Sequence, residues 1–293
     1  MRPSILVIGK AGQLAMSLQA LGGKQVAAIG RPEFDLNHPE NISEFLKCHN
    51  PDFVINAAAW TAVDLAETEQ EGAQCGNYTG PAFLAQECAL RHIPFIHVST
   101  DYVFNGKKGK PYTEDDPVCP ETVYGRTKAE GEKAVLSLHP QSMVLRTSWV
   151  YSAYGRNFVK TMIAAGAKNP ILKVVSDQKG NPTSSDDLAQ VILEIINQIH
   201  EKHWQEDYHG IFNACGRGDA TWFELACVTL KEASLYGQKE PQIQPILTED
   251  WPTPAKRPLD SRLDTTKLRK TFGLTFPLWQ ESVSKIVQKL FSH

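Results

Sequence analysis

Ile5-Leu6-Val7-Ile8-Gly9-Lys10-Ala11-Gly12-Gln13-Leu14-Ala15 opens the chain with an apolar run, two glycines three apart and the start of a helical pattern. A short apolar run that ends on glycine reads as a buried strand breaking into a tight turn. Glycines there let the backbone approach a ligand, and the N–H groups of the helix start then hold an anion such as a pyrophosphate. The spacing is GxxGxxA, with Ala15 at the small position where helix packs on strand. Glycines also mark ordinary turns, so the weight comes from their place at the first strand–helix junction. Gly9 and Gly12 are therefore expected to cradle a dinucleotide.

Outward from that junction, the first half alternates two kinds of segment. Nearly uniform apolar runs lie at 5–8, 25–29, 53–57, 95–98 and 143–145, and between them 14–21, 42–48, 81–91 and 129–138 have helical spacing. Strands that are apolar throughout belong to a parallel sheet covered on both faces, wound by right-handed crossovers. The predicted class is α/β, a Rossmann-like doubly wound parallel sheet with a smaller C-terminal substrate-binding lobe. After about residue 150 the alternation loosens. Helical patterns at 157–165, 187–199, 222–233 and 278–290 are separated by loops, and proline-rich 247–261 is expected as an irregular surface loop. The expected organisation is an NAD(P)-binding domain over 1–150 and a substrate lobe over 151–293, partly interleaved with it.

The 293 residues are 42% hydrophobic and 22% charged with net charge −3, an ordinary soluble balance. That balance gives no broad basic footprint for nucleic acid or an anionic membrane. No apolar run approaches the roughly 20 residues that span a bilayer. The run at 5–8 is too short for a signal peptide's core, so a cytoplasmic location is expected. Six cysteines without a CxxC pair are expected as reduced thiols packed like small hydrophobes, and no metal site is predicted.

At the end of the second strand a carboxylate would hold a ribose 2′-hydroxyl. Here the chain reads Ile29-Gly30-Arg31-Pro32, and the planar fork of Arg31 suits a 2′-phosphate. NADPH is the expected cofactor; NADH stays open, because a solvated Arg31 in a turn is the competing reading. Asp35 and Leu36 just downstream fall at the adenine. Asn56-Ala57-Ala58-Ala59 ends the third strand, and its small residues let a cofactor lie close to the backbone.

Tyr124-Gly125-Arg126-Thr127-Lys128 sets a phenol and an ammonium four apart, on one helix face. A phenol titrates at about 10, and a neighbouring cation brings it toward the range useful for proton transfer. With eight tyrosines in the chain, that spacing alone is unspecific. Ser99-Thr100-Asp101-Tyr102 adds context, since it follows the run at 95–98 and stands at a strand's C-terminal end. In open α/β sheets that is the ligand edge. Thr100 is then placed to hydrogen-bond a substrate carbonyl beside Tyr124.

The loop 9–15, Asn56-Ala57-Ala58-Ala59-Trp60-Thr61-Ala62-Val63-Asp64, Ser99-Thr100-Asp101-Tyr102-Val103-Phe104 and 124–128 together resemble the extended short-chain dehydrogenases/reductases. More narrowly, the set is similar to the dTDP-4-dehydrorhamnose reductase family. Arg146-Thr147-Ser148-Trp149-Val150-Tyr151, Asp177-Gln178-Lys179-Gly180-Asn181-Pro182-Thr183 and Arg257-Pro258 with Ser261-Arg262-Leu263 extend the likeness over nearly the whole chain. The resemblance implies reduction of a dTDP-linked 4-keto-6-deoxysugar, with dTDP-4-dehydro-L-rhamnose giving dTDP-L-rhamnose for cell-surface polysaccharide. It implies Tyr124 as proton donor to the C4 oxygen, Lys128 as the partner that lowers its pKa, and Thr100 as the group tuning both. Gly12, Gln13, Leu14, Asp35, Leu36, Ala57, Ala58 and Ala59 would hold the cofactor, and Thr100, Asp101 and Trp149 the sugar nucleotide. Trp149 has a half-buried aromatic anchor as its competing role. Arg257 and Arg262 are candidates for the diphosphate, with a surface ion pair as the alternative for each.

Departures from the family pattern carry information too. Ser17 stands where the best-known members have a Glu that helps bind Mg²⁺ at a dimer interface, and a carboxylate-poor site holds a hard cation weakly. The expectation is a monomer or a metal-independent homodimer, with Mg²⁺ left open. Ala15 replaces a frequent Gly at little cost in space. Related dehydratases have an Asp-Glu pair after the Thr; here Thr100 is followed by Asp101 and Tyr102, which speaks against dehydration. The alternatives kept are a reductase for another dTDP-4-keto deoxysugar and a non-catalytic dinucleotide-binding regulatory subunit.

Overall fold

The computed structural model describes residues 2–292. Its main elements in the first half are β1 (Ile5–Ile8), α1 (Gln13–Gly22), β2 (Val26–Ile29), α2 (Ile42–His49), β3 (Phe53–Asn56), α3 (Gly80–Leu90), β4 (Phe95–Thr100), α4 (Val123–Leu138) and β5 (Ser142–Thr147). The second half holds α5 (Phe158–Gly166), β6 (Ile171–Val175), α6 (Ser185–Lys202), β7 (Gly210–Asn213), α7 (Trp222–Ser234), β8 (Gln242–Ile246), α8 (Thr266–Phe272) and α9 (Trp279–Phe291). Shorter turns join them.

Six of the strands form one wholly parallel sheet in the order β7-β5-β4-β3-β1-β2. This is the doubly wound α/β sheet expected from the apolar runs. Successive side chains of a strand point to opposite faces, and both faces of β1 are covered. Ile5 and Val7 pack with Leu14 and Leu18 of α1 and with Leu188, Ile192 and Ile195 of α6. Leu6 and Ile8 pack with Ile42 and Leu46 of α2 and Leu84 and Cys88 of α3. Each such aliphatic side chain contributes about 1.5–3 kcal/mol when fully buried, so the runs cannot tolerate polar interruptions without partners.

Several elements from beyond residue 150 join this sheet or cover it. Helix α6 lies along α1 on one face, and β7 pairs in parallel with β5, Gly210 opposite Met143 through Asn213 opposite Arg146. Leu268 and Phe272 of α8 join the same core, while other C-terminal residues build a second, smaller one from Tyr151, Val159, Leu225, Trp279, Val283 and Ile286. Strands β6 and β8 make a separate parallel pair beside it. Segment 247–261 is irregular apart from one 3₁₀ turn at Thr248–Asp250. Among the described residues no helix is long and apolar enough to cross a membrane.

The site is positioned by the point where strand order reverses. β1 has β2 on one side and β3 on the other, so a crevice opens outside the C-terminal ends of β1 and β3. β4 and β5 end along the same edge.

Candidate active site

The glycine loop fills the floor of that crevice. Gly9 leaves β1 at φ +114°, and a Cβ there would lie 2.9 Å from the Ala58 backbone nitrogen, so a side chain is excluded. Its N–H donates to Ile29 O at 2.8 Å, and Gly12 N–H to Gly9 O at 2.8 Å. Gly12 caps α1 with no side-chain hydrogen bond, leaving first-turn N–H groups without a side-chain acceptor. A close backbone approach and an uncapped helix start fit a dinucleotide pyrophosphate.

The other residues expected at the cofactor fall into two groups. Ala57, Ala58 and Ala59 are half-buried at the end of β3, with Ala57 N–H donating to Ile8 O at 3.0 Å. Arg31 is exposed after β2, with no side-chain hydrogen bond or ion pair among the described residues; two residues on, Glu33 pairs with Lys10 at 3.0 Å. Asp35 is half-buried and accepts from Asn37 N–H at 3.0 Å, while Leu36 is buried with Leu84 of α3. Leu14 is buried in the sheet core. The Gln13 side chain is taken up by the segment that follows β5. Its Oε1 accepts from Ser152 Oγ at 2.8 Å and Asn157 Nδ2 at 3.0 Å, and its Nε2 donates to Val150 O at 3.3 Å.

Thr100, Tyr124 and Lys128 come together as buried groups where β4 ends against α4. The helix starts where Thr122 Oγ1 accepts from Gly125 N–H at 3.0 Å, which sets Tyr124 in the first turn and Lys128 one turn on. Thr100 Oγ1 donates to Asp101 Oδ1 at 3.1 Å and accepts from Tyr102 N–H at 3.2 Å. The Tyr102 ring stands edge-on to that of Tyr124 at 5.7 Å and 88°. Burial pushes the Tyr124 phenol up to about 12, with the Thr100 hydroxyl acting to lower it. Burial pulls Lys128 down to about 8, while the Glu132 carboxylate acts to raise it. Among the described residues the lysine's hydrogen bonds do not go to the phenol: Nζ donates to Val98 O at 2.6 Å and lies 3.3 Å from His97 Nε2.

Beneath this cluster lies polar structure that pattern reading passed over. Glu132 is one turn beyond Lys128 on the same face of α4. It accepts from Arg146 Nε at 2.8 Å, from Arg146 Nη2 at 2.6 Å and from Ser99 Oγ at 2.5 Å. Arg146 is wholly buried on β5, over the ring of Phe104 at 4.9 Å. His97, inside β4, meets Asn56 Nδ2 through its Nδ1 at 3.0 Å. Burial, then the charge of Lys128, hold the imidazole well below its ordinary value. A histidine and an arginine standing inside or directly after apolar runs were the available signals.

On the substrate side, Asp101 is buried and its Oδ2 has no partner among the described residues. Burial pushes its carboxyl up to about 6, against the lowering effect of the Ser261 and Thr100 hydroxyls. Trp149, at φ +48°, stacks on Trp222 with centroids 3.6 Å apart and planes within 4°. Gly180 makes room for it, since a Cβ there would lie 2.4 Å from the indole. Arg257 is held by Asp64 through two bonds of 3.0 and 2.8 Å, and its guanidinium holds the Asp64 carboxyl below its ordinary range. Arg262 is likewise taken by Asp260, at 2.8 and 2.7 Å. Ser17 is buried: its Oγ donates to Asp186 Oδ1 at 2.5 Å and lies 2.6 Å from Ser185 Oγ. Among the described residues no cluster of three or more His, Cys, Asp or Glu could hold a metal ion.

Comparison with known proteins agrees with this geometry. The family described as RmlD substrate binding domain matches residues 1–292. The dTDP-4-dehydrorhamnose reductase of Sinorhizobium fredii is 41% identical over 288 residues, covering 98% of this chain and 97% of that protein. A probable dTDP-4,6-dihydroxy-2-methyloxan-3-one 4-ketoreductase of Streptomyces antibioticus is 38% identical over 270 residues, 91% of this chain and 88% of its own. Among solved structures, the dTDP-4-dehydrorhamnose reductase of Bacillus anthracis in complex with NADP superposes with a TM-score of 0.90 at 30% identity, covering 99% of this chain and 100% of that one. With its doubly wound sheet, its glycine loop and its buried Thr-Tyr-Lys cluster, the chain belongs to the dTDP-4-dehydrorhamnose reductase family.

Proposed function

We propose that this chain reduces the C4 keto group of dTDP-4-dehydro-L-rhamnose to give dTDP-L-rhamnose, with NADPH as reductant. The observation that carries this is the buried cluster of Thr100, Tyr124 and Lys128 on the sheet edge that also bears the glycine loop. When bound, NADPH supplies the hydride that reaches C4. Tyr124 gives its hydroxyl proton to the developing C4 alkoxide. A phenol held above its ordinary range arrives protonated at neutral pH, as a proton donor must. Thr100 holds the phenol and the carbonyl oxygen in one hydrogen-bonded set. Lys128 tunes the phenol and fixes the nicotinamide ribose.

Gly9, Gly12 and the N–H groups of Gln13 and Leu14 take the pyrophosphate, and Ala57, Ala58 and Ala59 leave it room. Asp35 and Leu36 serve the adenosine end, and Arg31 takes the 2′-phosphate, which favours NADPH over NADH. Asp101 and Trp149 take the sugar nucleotide, with Trp222 stiffening Trp149 from behind. Arg257 takes the diphosphate in exchange for Asp64. In this scheme the cofactor lies on the 1–150 domain, and the sugar nucleotide sits between Asp101 and Trp149 of that domain and Arg257 of the interleaved 151–293 lobe. The enzyme would work in the cytoplasm as a monomer or metal-independent homodimer, and no step is assigned to Mg²⁺.

The Streptomyces antibioticus relative favours a second substrate, another dTDP-4-keto deoxysugar. Incubation with dTDP-4-keto-6-deoxyglucose and NADPH, with and without a 3,5-epimerase, separates the two by NMR of the product. dTDP-L-rhamnose formed only with the epimerase supports the first substrate. A different deoxysugar formed without it favours the second, and no NADPH consumption in either arm overturns both.

A further inference from the structure

A chain of buried hydrogen bonds connects the end of β3 to Lys128, and the direction of each bond follows from the one before. Asn56, His97 and Lys128 are 0–1% exposed. Ala58 N–H donates to Asn56 Oδ1 at 3.1 Å, which turns the amide nitrogen toward His97 Nδ1 at 3.0 Å. An amide nitrogen only donates, so His97 Nδ1 accepts. The buried imidazole is neutral and carries one proton, which must then sit on Nε2. Nε2 lies 3.3 Å from Lys128 Nζ, whose other contact is the donation to Val98 O at 2.6 Å. An ammonium at this point would set N–H against N–H. A neutral amine instead offers its lone pair and completes the chain without conflict.

We propose that His97 is a positioning residue for Lys128: Asn56 fixes the imidazole proton on Nε2, and that N–H donates to the lysine nitrogen and favours its uncharged form. This role presupposes that Lys128 belongs to the reducing site. Other groups around the lysine are few. Glu132, one turn on along α4, favours the ammonium, but its carboxylate is shared with Arg146 of β5 and Ser99 of β4. Tyr124 lies one turn back. With the ammonium disfavoured, Lys128 changes charge within the working pH range, so the cation that stabilises the Tyr124 phenolate is lost as pH rises. The rate should therefore fall on an alkaline limb that belongs to Lys128.

The test is Asn56→Asp, which replaces the amide nitrogen by a second acceptor. One oxygen still accepts from Ala58 N–H, and the other draws the imidazole proton to Nδ1. Nε2 then becomes an acceptor for the ammonium. Nitrogen-15 NMR of the histidine ring reports the tautomer directly, and the pH profile of kcat reports the limb. The wild type should show Nε2–H. The variant should show Nδ1–H, with the alkaline limb moved up by about one pH unit or more, a tenfold change in the proton equilibrium. A wild-type ring protonated on Nδ1 overturns the proposal without any variant. So does a flipped tautomer with an unmoved limb, or a moved limb with an unflipped tautomer, where the added charge alone acts. Full turnover by Lys128→Met would instead remove the lysine from the reducing site and leave the tautomer result standing.

Discussion

Glu132→Gln tests the buried pair that ties α4 to β5. The guanidinium of Arg146 makes two bonds to Glu132, and its Nη1 has no partner among the described residues, so this cation depends on one carboxylate. The amide keeps the shape and one acceptor, yet leaves the positive charge uncompensated where water does not reach. Removing one member of a buried pair costs about 3–5 kcal/mol, and the retained acceptor puts the expected loss near the lower end, about 3 kcal/mol. At about 2.1 cal/mol/K per residue, a chain of this length unfolds with roughly 0.6 kcal/mol/K, so Tm should fall by about 5 °C. Differential scanning calorimetry reads this directly. The double variant Glu132→Leu with Arg146→Met replaces both charges by apolar groups and should recover most of the loss. A single variant that melts within about 1 °C of wild type, or a double variant that melts below the single one, would refute the claim that the pair is dry and mutually dependent.

Three further outcomes follow from the site. Tyr124→Phe should lower kcat by about 10²–10⁴-fold, the usual worth of a positioned proton donor, while NADPH affinity by fluorescence titration changes less than about twofold; a wild-type rate removes Tyr124 from the chemistry. Arg31→Ala should lower the ratio of kcat/KM for NADPH over NADH about tenfold, the loss of one charge-assisted contact of about 1.5 kcal/mol; an unchanged ratio assigns the preference to other residues. Asp101 titrates at about 6 in the fold against 3.8 in water, so between these values the native state holds a proton that the unfolded chain has lost. Stability should fall as pH rises from about 4 to about 6 and stay at the lower level above. Asp101→Asn lacks that penalty and should gain in Tm on the wild type over this window; parallel melting curves would mean a hydrated carboxyl.

The sheet was legible because its strands are covered on both faces. Such strands read as bare apolar runs, and five of the six appeared that way in order. The sixth, β7, carries only Ile211 and Phe212 between Gly210 and Asn213, too little to stand out, and its partner helix α6 looks like any amphipathic helix until α1 is seen beneath it. At the candidate site, the grouping of Thr100, Tyr124 and Lys128 was readable from their places at a strand end and on one helix face. Their supporting groups were not. His97 and Arg146 break the apolar rule within or beside a run, and what allows the break is a partner distant in sequence, Asn56 for one and Glu132 for the other. The tie between Arg257 and Asp64 joins residues 193 positions apart, a distance that no local pattern records.

Gln13 occupies two places at once. Its backbone belongs to the loop proposed to meet the pyrophosphate, and its side chain is bolted to Val150, Ser152 and Asn157, shortly after Trp149. With nucleotide and sugar bound as proposed, a shift of the loop on nucleotide arrival would be passed to the segment beside the proposed sugar pocket. By thermodynamic reciprocity, whatever factor the nucleotide adds to sugar affinity, the sugar returns to the nucleotide. In that scheme one glutamine side chain would couple the two occupancies, and severing it should let the halves fill independently.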